Sequence, residues 1–159
     1  MLSFRKITLA TLFLISACGF SPLYTNDTSA ELIGQVSLQE PKTQNDFIFY
    51  SHLIDRFGES RGEYTLHYAI STSKKDTGLN FDGTAHRVEI SGSVVFSLTE
   101  TKSGVELLSN KEEMNLSYSN FGSTAAVLNA ERTTYKQLVV LLADKVADKI
   151  TLLIIEKGS

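Results

Sequence analysis

Four stretches of the chain alternate apolar and polar residues, which is the pattern of a β-strand that buries one face. The predicted strands cover residues 33–39, 64–71, 87–99 and 105–119. Pro41 ends the first strand, because proline cannot donate to a strand ladder. A polar turn region is predicted over 74–83, and Lys102-Ser103-Gly104 is predicted as the hairpin turn before the last strand.

A first helix is predicted over residues 44–57, where apolar side chains recur every three or four positions. The apolar positions are Phe47, Tyr50, Leu53, Ile54 and Phe57. Thr43 stands where an N-cap is needed, and Asp46 supplies negative charge in the first turn. Gly58 is a suitable residue to end the helix.

A second, longer helix is predicted over residues 125–155, with Ser123 or Thr124 as its N-cap. Its apolar stripe consists of Tyr135, Leu138, Val139, Leu142, Val146, Ile150 and Leu153. At 1.5 Å per residue this helix would be about 45 Å long, enough to cross a small sheet.

The predicted element order is β-α-β-β-β-α, and residues 31–159 are predicted to form a single domain. A sheet with one apolar face needs a cover, which two amphipathic helices supply. The first helix separates two strands and serves as a crossover, whereas the later strands form a meander. The sequence therefore predicts an α+β fold: a two-layer sandwich in which two helices cover one face of a four-stranded, mostly antiparallel sheet.

Residues 1–17 have the order of a secretory signal peptide. Arg5 and Lys6 are followed by an apolar run over 7–15 and then by Ser16 and Ala17. The run is shorter than the roughly 20 residues that a membrane-spanning helix needs. An amphipathic or buried N-terminal helix is the alternative interpretation.

Ile15-Ser16-Ala17-Cys18 matches a lipobox, in which an aliphatic residue and two small residues precede a cysteine that receives lipid. Cys18 is the sole cysteine, so it cannot form an intramolecular disulfide. We therefore predict lipid attachment at Cys18 and a lipidated tether over 18–30, which would hold the domain on the periplasmic side of a membrane. Gly19 is compatible with sorting to the outer membrane.

The composition argues against several other functions. The 159 residues carry a net charge of −3, so nucleic acid is not the expected partner. His52, His67 and His86 lack metal-ligand spacing, and no nucleophile or phosphate-loop motif is found. We expect no catalytic residues, no metal and no cofactor. The charged residues of the last helix are interpreted as solvated pairs: Asp144, Asp148 and Glu156 with Lys145, Lys149 and Lys157.

The solvent-facing side of the predicted sheet is rich in serine and threonine and includes His67, Arg87, Glu89 and Lys111. Such a side is first of all a soluble surface, but a whole polar sheet face also suits docking inside a barrel, whose lumen is polar. Arginine makes bidentate contacts with phosphate. Arg87 is thus a candidate contact for a phosphorylated glycolipid.

The segment Cys18-Gly19-Phe20-Ser21-Pro22-Leu23-Tyr24 resembles the mature start of the LptE family of lipopolysaccharide-assembly lipoproteins, especially its alphaproteobacterial type. Further resemblance lies at Arg87, Ser117-Tyr118-Ser119, Ser123 and Glu131-Arg132. The order of strands and helices also agrees with that family. Only Cys18 is carried over residue by residue, as the acylated position.

This resemblance implies an outer-membrane lipoprotein that plugs the β-barrel partner LptD, helps that barrel to assemble and helps to deliver lipopolysaccharide to the cell surface. The implied partners are an LptD-like barrel, lipopolysaccharide, and the membrane through the lipid anchor. An auxiliary lipoprotein of a lipid-transporting ABC system is the alternative. A periplasmic hydrolase would need a catalytic constellation that the sequence does not show.

Overall fold

The computed structural model describes residues 34–59, 62–79, 81 and 85–158. Six elements follow one another: β1 (Val36–Leu38), α1 (Gln44–Phe57), β2 (Tyr64–Leu79), β3 (Ala85–Glu100), β4 (Glu106–Ser119) and α2 (Thr124–Gly158). The strands form one sheet in the order β1-β2-β3-β4. β1 is parallel to β2 and the other pairs are antiparallel, which confirms the predicted α+β architecture.

Several predictions for the N-terminal part lie outside the described residues. They are the signal peptide over 1–17, the tether over 18–30 with its lipidated Cys18, and residue Ile33 of the first strand. The first strand is also shorter than the predicted 33–39, since Gly34 and Gln35 form a turn and β1 covers only Val36–Leu38.

The even-numbered residues of β2, β3 and β4 point toward the helices and form the apolar side of the sheet. The buried apolar side chains of the sheet are Val36, Leu66, Tyr68, Val88, Ile90, Val94, Phe96, Leu98 and Tyr118. The buried apolar residues of the helices are Phe49, Leu53, Phe57, Leu138, Val139, Leu142, Ala143, Val146, Ala147, Ile150 and Ile154. These two sets form one core between the two layers, because each covers the other from water.

α1 begins at the predicted cap. The Asp46 N–H donates to Thr43 Oγ1 at 3.1 Å, and the Thr43 N–H donates to Asp46 Oδ2 at 2.9 Å, so the two residues form a capping box. The buried row differs from the predicted stripe, however. Phe49, Leu53 and Phe57 are buried at four-residue spacing, while Phe47 is 61% exposed. Phe47 is two positions from Phe49 and therefore lies on the opposite side of the helix.

The long hairpin corrects the predicted turn over 74–83. β2 continues through Lys74 to Leu79, and its pairing with β3 extends to Leu79 and Ala85. The alternation is lost here because Lys74 and Asp76 occupy the side that is apolar elsewhere in the strand. Lys74 Nζ donates to Glu131 Oε1 of α2 at 2.8 Å, and this bond raises the pKa of Lys74 and lowers that of Glu131. The polar end of the hairpin is thus attached to the helix layer by an ion pair.

Gly92 lies on the apolar side of β3, where Leu138 and Leu142 of α2 pack on the strand. A Cβ at this position would lie 2.3 Å from Leu138 Cδ2 and 3.2 Å from Leu142 Cδ1. Gly92 is buried, and all the remaining even-numbered residues from Val88 to Leu98 carry large apolar side chains. The missing side chain therefore lets the two leucines pack directly on the strand.

We expect Gly92→Ala to lower the free energy of unfolding by about 1–3 kcal/mol, because the added methyl overpacks a closed core. Urea unfolding followed by circular dichroism measures this. Leu138→Ala in the same chain should recover part of the loss, giving a favourable coupling energy in a double-mutant cycle. Equal stabilities of Gly92→Ala and the parent chain would contradict the close approach.

Candidate functional site: the polar face of the sheet

The side of the sheet that faces away from the helices is formed by the odd-numbered residues of β2, β3 and β4, and we call it the polar face. On β2 these are Thr65, His67, Ala69, Ser71, Ser73, Lys75 and Thr77. On β3 and β4 they are Arg87, Glu89, Ser91, Ser93, Val95, Ser97, Thr99, Ser109, Lys111, Glu113, Asn115, Ser117 and Ser119. The register brings the residues predicted to face solvent onto one continuous surface. At 3.3 Å per residue this surface is about 50 Å long.

The centre of the polar face is concave because its side chains are small. Ser71, Ser73, Ser91 and Ser93 line a depression of about 350 Å³, with Glu113 and Asn115 at its β4 side. Hydroxyl and amide groups both donate and accept hydrogen bonds. The depression therefore offers a dense set of hydrogen-bonding groups without an apolar pocket, which suits a polar protein surface or a carbohydrate.

Arg87 lies at the end of the polar face near the β2–β3 hairpin tip. Its Nε donates to Ser117 Oγ of the neighbouring strand at 2.8 Å, which fixes the guanidinium against β4. Within the part of the chain that the structure describes, its two terminal nitrogens have no hydrogen-bond partner. Arg87 is therefore held in place while part of its donor set stays available.

The charges of the polar face are mixed in sign. Lys111 Nζ lies 2.5 Å from Glu113 Oε1, and Lys75 is paired in register with Glu89 across β2 and β3. Neighbouring charges of opposite sign cancel at a distance. The face as a whole is thus a hydrogen-bonding surface rather than a basic patch.

Four charged residues in the middle of α2 contact α1 or β4, which corrects their interpretation as solvated pairs along one helix: Asp144, Lys145, Asp148 and Lys149. Glu156 and Lys157, near the end of the helix, are exposed. Asp144 Oδ1 lies 2.9 Å from His52 Nε2 and accepts from Arg56 Nη2 at 2.8 Å, both on α1. Burial opposes ionisation of Asp144, but the bonds from His52 and Arg56 outweigh it and lower the pKa of this carboxyl. One flank of α2 is therefore tied to α1.

The other flank of α2 is tied to β4 through Glu112. This carboxylate points to the helix side of the sheet with only 13% of its side chain exposed, and it contacts Lys145 at 3.3 Å and Lys149. The hydrogen bond from Lys149, with a further one from Lys145, lowers the pKa of Glu112 despite its burial. The sequence signal for this contact is a glutamate at a position of β4 that faces the apolar side. Its two partners lie 33 and 37 residues later in the chain, so the sequence alone does not identify them.

The three histidines lie on separate elements. His52 contacts Asp144 on α2, His67 is on the polar face, and His86 is near the hairpin tip. Over residues 34–59, 62–79, 81 and 85–158, no three His, Cys, Asp or Glu residues are placed to hold a metal ion.

Two phenylalanines are exposed at the end of the sheet that carries the hairpin tip. Phe81 follows β2 and is fully exposed, and Phe121 follows β4 and is 85% exposed. The Asn120 N–H donates to the His86 carbonyl at 3.0 Å, which keeps the start of the β4–α2 connection beside β3. Exposed aromatic side chains are common anchors in protein interfaces, so this end is a second candidate contact region.

No helix in the described part of the chain is long and apolar enough to span a membrane. No protein-family model matches the chain, and no curated protein matches it.

Similar solved structures come from bacterial lipoproteins. Rare lipoprotein B from Shewanella oneidensis has a TM-score of 0.61 at 14% identity, over 79% of this chain and 98% of that chain. Lipoprotein B from Nitrosomonas europaea has a TM-score of 0.61 at 12% identity, over 75% and 83%. A presumptive lipoprotein from Caulobacter crescentus has a TM-score of 0.58 at 18% identity, over 77% and 90%. The chain therefore shares its α+β fold with lipoproteins of Gram-negative bacteria.

Glu112→Gln should lower the free energy of unfolding by about 1–2 kcal/mol at pH 7, because Lys145 and Lys149 lose the carboxylate that they share. The pKa of Glu112 is lowered in the folded state, so its contribution is present above the ordinary carboxyl range and is lost as the pH falls through the lowered pKa. Urea unfolding should therefore show a smaller difference between the two proteins at about pH 3 than at pH 7.

Glu113→Gln is the matched control, since Glu113 is the next residue but lies on the exposed face with Lys111. Its effect should stay below about 0.5 kcal/mol, as for other surface pairs. A larger loss for Glu113→Gln than for Glu112→Gln would contradict the assignment.

Proposed function

We propose that this protein is an outer-membrane lipoprotein of the LptE type, which plugs and helps to assemble an LptD-like β-barrel for delivery of lipopolysaccharide to the cell surface. It acts by binding and not by catalysis. The lipid on Cys18 holds it on the periplasmic side of the outer membrane, and the folded domain then enters the barrel.

The N-terminal sequence supports the cellular location. The lipobox ending at Cys18 and the segment through Tyr24 carry the resemblance to the LptE family. Proteins of the same fold from Shewanella and Nitrosomonas are named as lipoproteins, which agrees with lipid anchoring of this domain.

The polar face is the observation that carries the proposal. Both helices pack on the opposite side of the sheet, so the face presents a long hydrogen-bonding surface that no described element covers. The lumen of an outer-membrane barrel is polar and is lined by alternating strand residues. A sheet face with hydroxyl groups and mixed charges complements such a wall, whereas an apolar or strongly basic face would not.

Arg87 adds a candidate contact with the transported lipid. Its Nε donates to Ser117 Oγ, and this bond holds the guanidinium at the end of the polar face. Arginine matches phosphate geometry. We propose that Arg87 contacts a phosphate of lipopolysaccharide as it passes the plug.

The partner is tested by detergent extraction of native membranes and affinity purification of the full-length chain. We expect a large outer-membrane β-barrel to co-purify in near-equal amount. Recovery of an ATPase and its permease instead would favour the ABC-transporter alternative, and a preparation without any barrel would refute the proposal.

The contact surface is tested by Ser93→Tyr, which places a bulky ring in the central depression of the polar face. We expect loss of most co-purifying barrel at unchanged folding, measured by circular dichroism. Thr133→Tyr on the exposed side of α2 is the control and should retain the barrel. Equal barrel recovery from both variants would contradict docking through the polar face.

Lipidation is tested separately with Cys18→Ser. We expect the variant to incorporate no fatty-acid analogue and to keep its full precursor length, because the peptidase requires the modified thiol. Equal labelling of the variant and the parent chain would refute the assignment of Cys18.

A further inference from the structure

β1 covers only the start of the outer edge of β2. The two strands pair over Val36–Leu38 and Tyr64–Leu66, and the Gln39 N–H then donates to the Leu66 carbonyl at 3.3 Å. The chain leaves the sheet here, with the Tyr68 hydroxyl donating to the Gln39 carbonyl. Beyond this point no described strand pairs with the edge of β2, although β2 continues to Leu79.

The pairing with β1 shows which residues of β2 direct their backbone N–H and carbonyl groups toward that edge. The Tyr64 N–H donates to the Gln35 carbonyl, and the Leu66 carbonyl accepts from Gln39, so even-numbered residues direct their backbone groups toward the β1 side. The β2–β3 register continues without a shift from Tyr64 to Thr77. Because backbone direction alternates along a strand, Tyr68, Ile70 and Thr72 also present an N–H and a carbonyl at the free edge.

The two open edges of the sheet differ in charge. Natural sheets block open edges with charged residues, including inward-pointing ones, and β4 carries Lys111, Glu112 and Glu113 in its middle. The β2 edge over residues 68–73 carries no charge and no proline. By this criterion β4 is protected against strand addition, and the 68–73 segment is not.

A groove lies beside the same stretch of β2. It has a volume of about 470 Å³ and is lined by Gln44, Asn45 and Ile48 of α1, Thr72 of β2, and Arg132, Tyr135 and Lys136 of α2. Thr72 thus belongs both to the free edge and to the groove. A strand added along this edge would direct every second side chain toward the groove, since strand side chains alternate between faces.

The groove carries positive charge without a matching carboxylate. Arg132 and Lys136 lie four positions apart on α2, and neither has an ion-pair partner among the residues that the structure describes. The nearby carboxylates are engaged, since Glu131 accepts from Lys74 and Asp46 accepts from the Thr43 backbone. An acidic side chain entering the groove would find two free cations.

We propose that the free edge of β2 over residues 68–73 binds an extended peptide segment of a partner protein as an added strand, with an acidic side chain of that peptide placed beside Arg132 and Lys136. The backbone groups of Tyr68, Ile70 and Thr72 supply the affinity common to strand addition, and the groove supplies selectivity. The site uses the backbone edge of β2 and the groove on the helix side, whereas the proposed function uses the side chains of the polar face, so neither depends on the other. Ala69, Ser71 and Ser73 belong to both regions.

The test uses the full mature chain and a fluorescent nine-residue peptide with valine at odd positions, threonine at even positions and glutamate in place of the central valine. Fluorescence anisotropy should show saturable binding. A peptide with lysine at the centre should bind about tenfold more weakly or worse. The double variant Arg132→Glu with Lys136→Glu should reverse this preference.

Backbone engagement is tested with Thr72→Pro, which removes an edge N–H but no bond to β3. Binding should be lost with Thr72→Pro and retained with the matched variant Thr72→Ala. Of two peptides N-methylated at alternate residues, one at odd and one at even positions, only one should bind the unaltered protein, because only alternate amides of an added strand face β2. Amide exchange of Tyr68, Ile70 and Thr72 should slow on binding, with smaller changes at Ala69 and Ser71.

Absence of binding up to millimolar peptide would overturn the proposal. Binding of both N-methylated peptides as tightly as the unmethylated peptide would also overturn it, and so would slowed exchange confined to residues outside the β2 edge. Because none of these measurements involves a barrel or lipopolysaccharide, their failure would leave the co-purification result of the proposed function unaffected.

Discussion

The direct packing of α2 on β3 at Gly92 is the constraint on which the other features depend. With no side chain at Gly92, Leu138 and Leu142 reach the strand itself, and α2 is fixed at one distance and position across the sheet. That position brings one flank of α2 to α1 through Asp144 and the other to β4 through Glu112. The helix is therefore both the cover of the core and the element that joins α1 to the far edge of the sheet.

Because both helices are held on one side, no described element covers the opposite side along β2, β3 and β4. In a small domain the apolar face of the sheet must be covered by a second layer, and here α1 and α2 form that layer. The polar face is free to bind something else, and its hydroxyl-rich, charge-balanced surface selects a polar partner. The lipid would attach the domain to the membrane, so the polar face would not be needed for anchoring and could serve only to bind the partner.

Local patterns were sufficient to predict the architecture. Alternation in the strands, the stripe of the long helix and the cap at Thr43 are all set by neighbouring residues, and each is found as expected. The errors come from contacts between distant residues. Residues 74–79 do not alternate between apolar and polar side chains. They still extend β2, because they pair with β3 and Lys74 forms an ion pair with Glu131. The charged residues of α2 between Asp144 and Lys149 also fit a solvated helix face, because their partners on α1 and β4 are distant in the sequence.

For the site, the sequence could predict the composition of the polar face but not the depression at its centre, which depends on the register that aligns Ser71, Ser73, Ser91 and Ser93. The central claim is that this face contacts the inner wall of a barrel. Its most direct test is a photo-reactive amino acid at Ser93 in the native cell, followed by identification of the cross-linked product. A covalent product with a large outer-membrane β-barrel is the predicted result. A product only with an inner-membrane permease, or none at all at Ser93, would contradict the account.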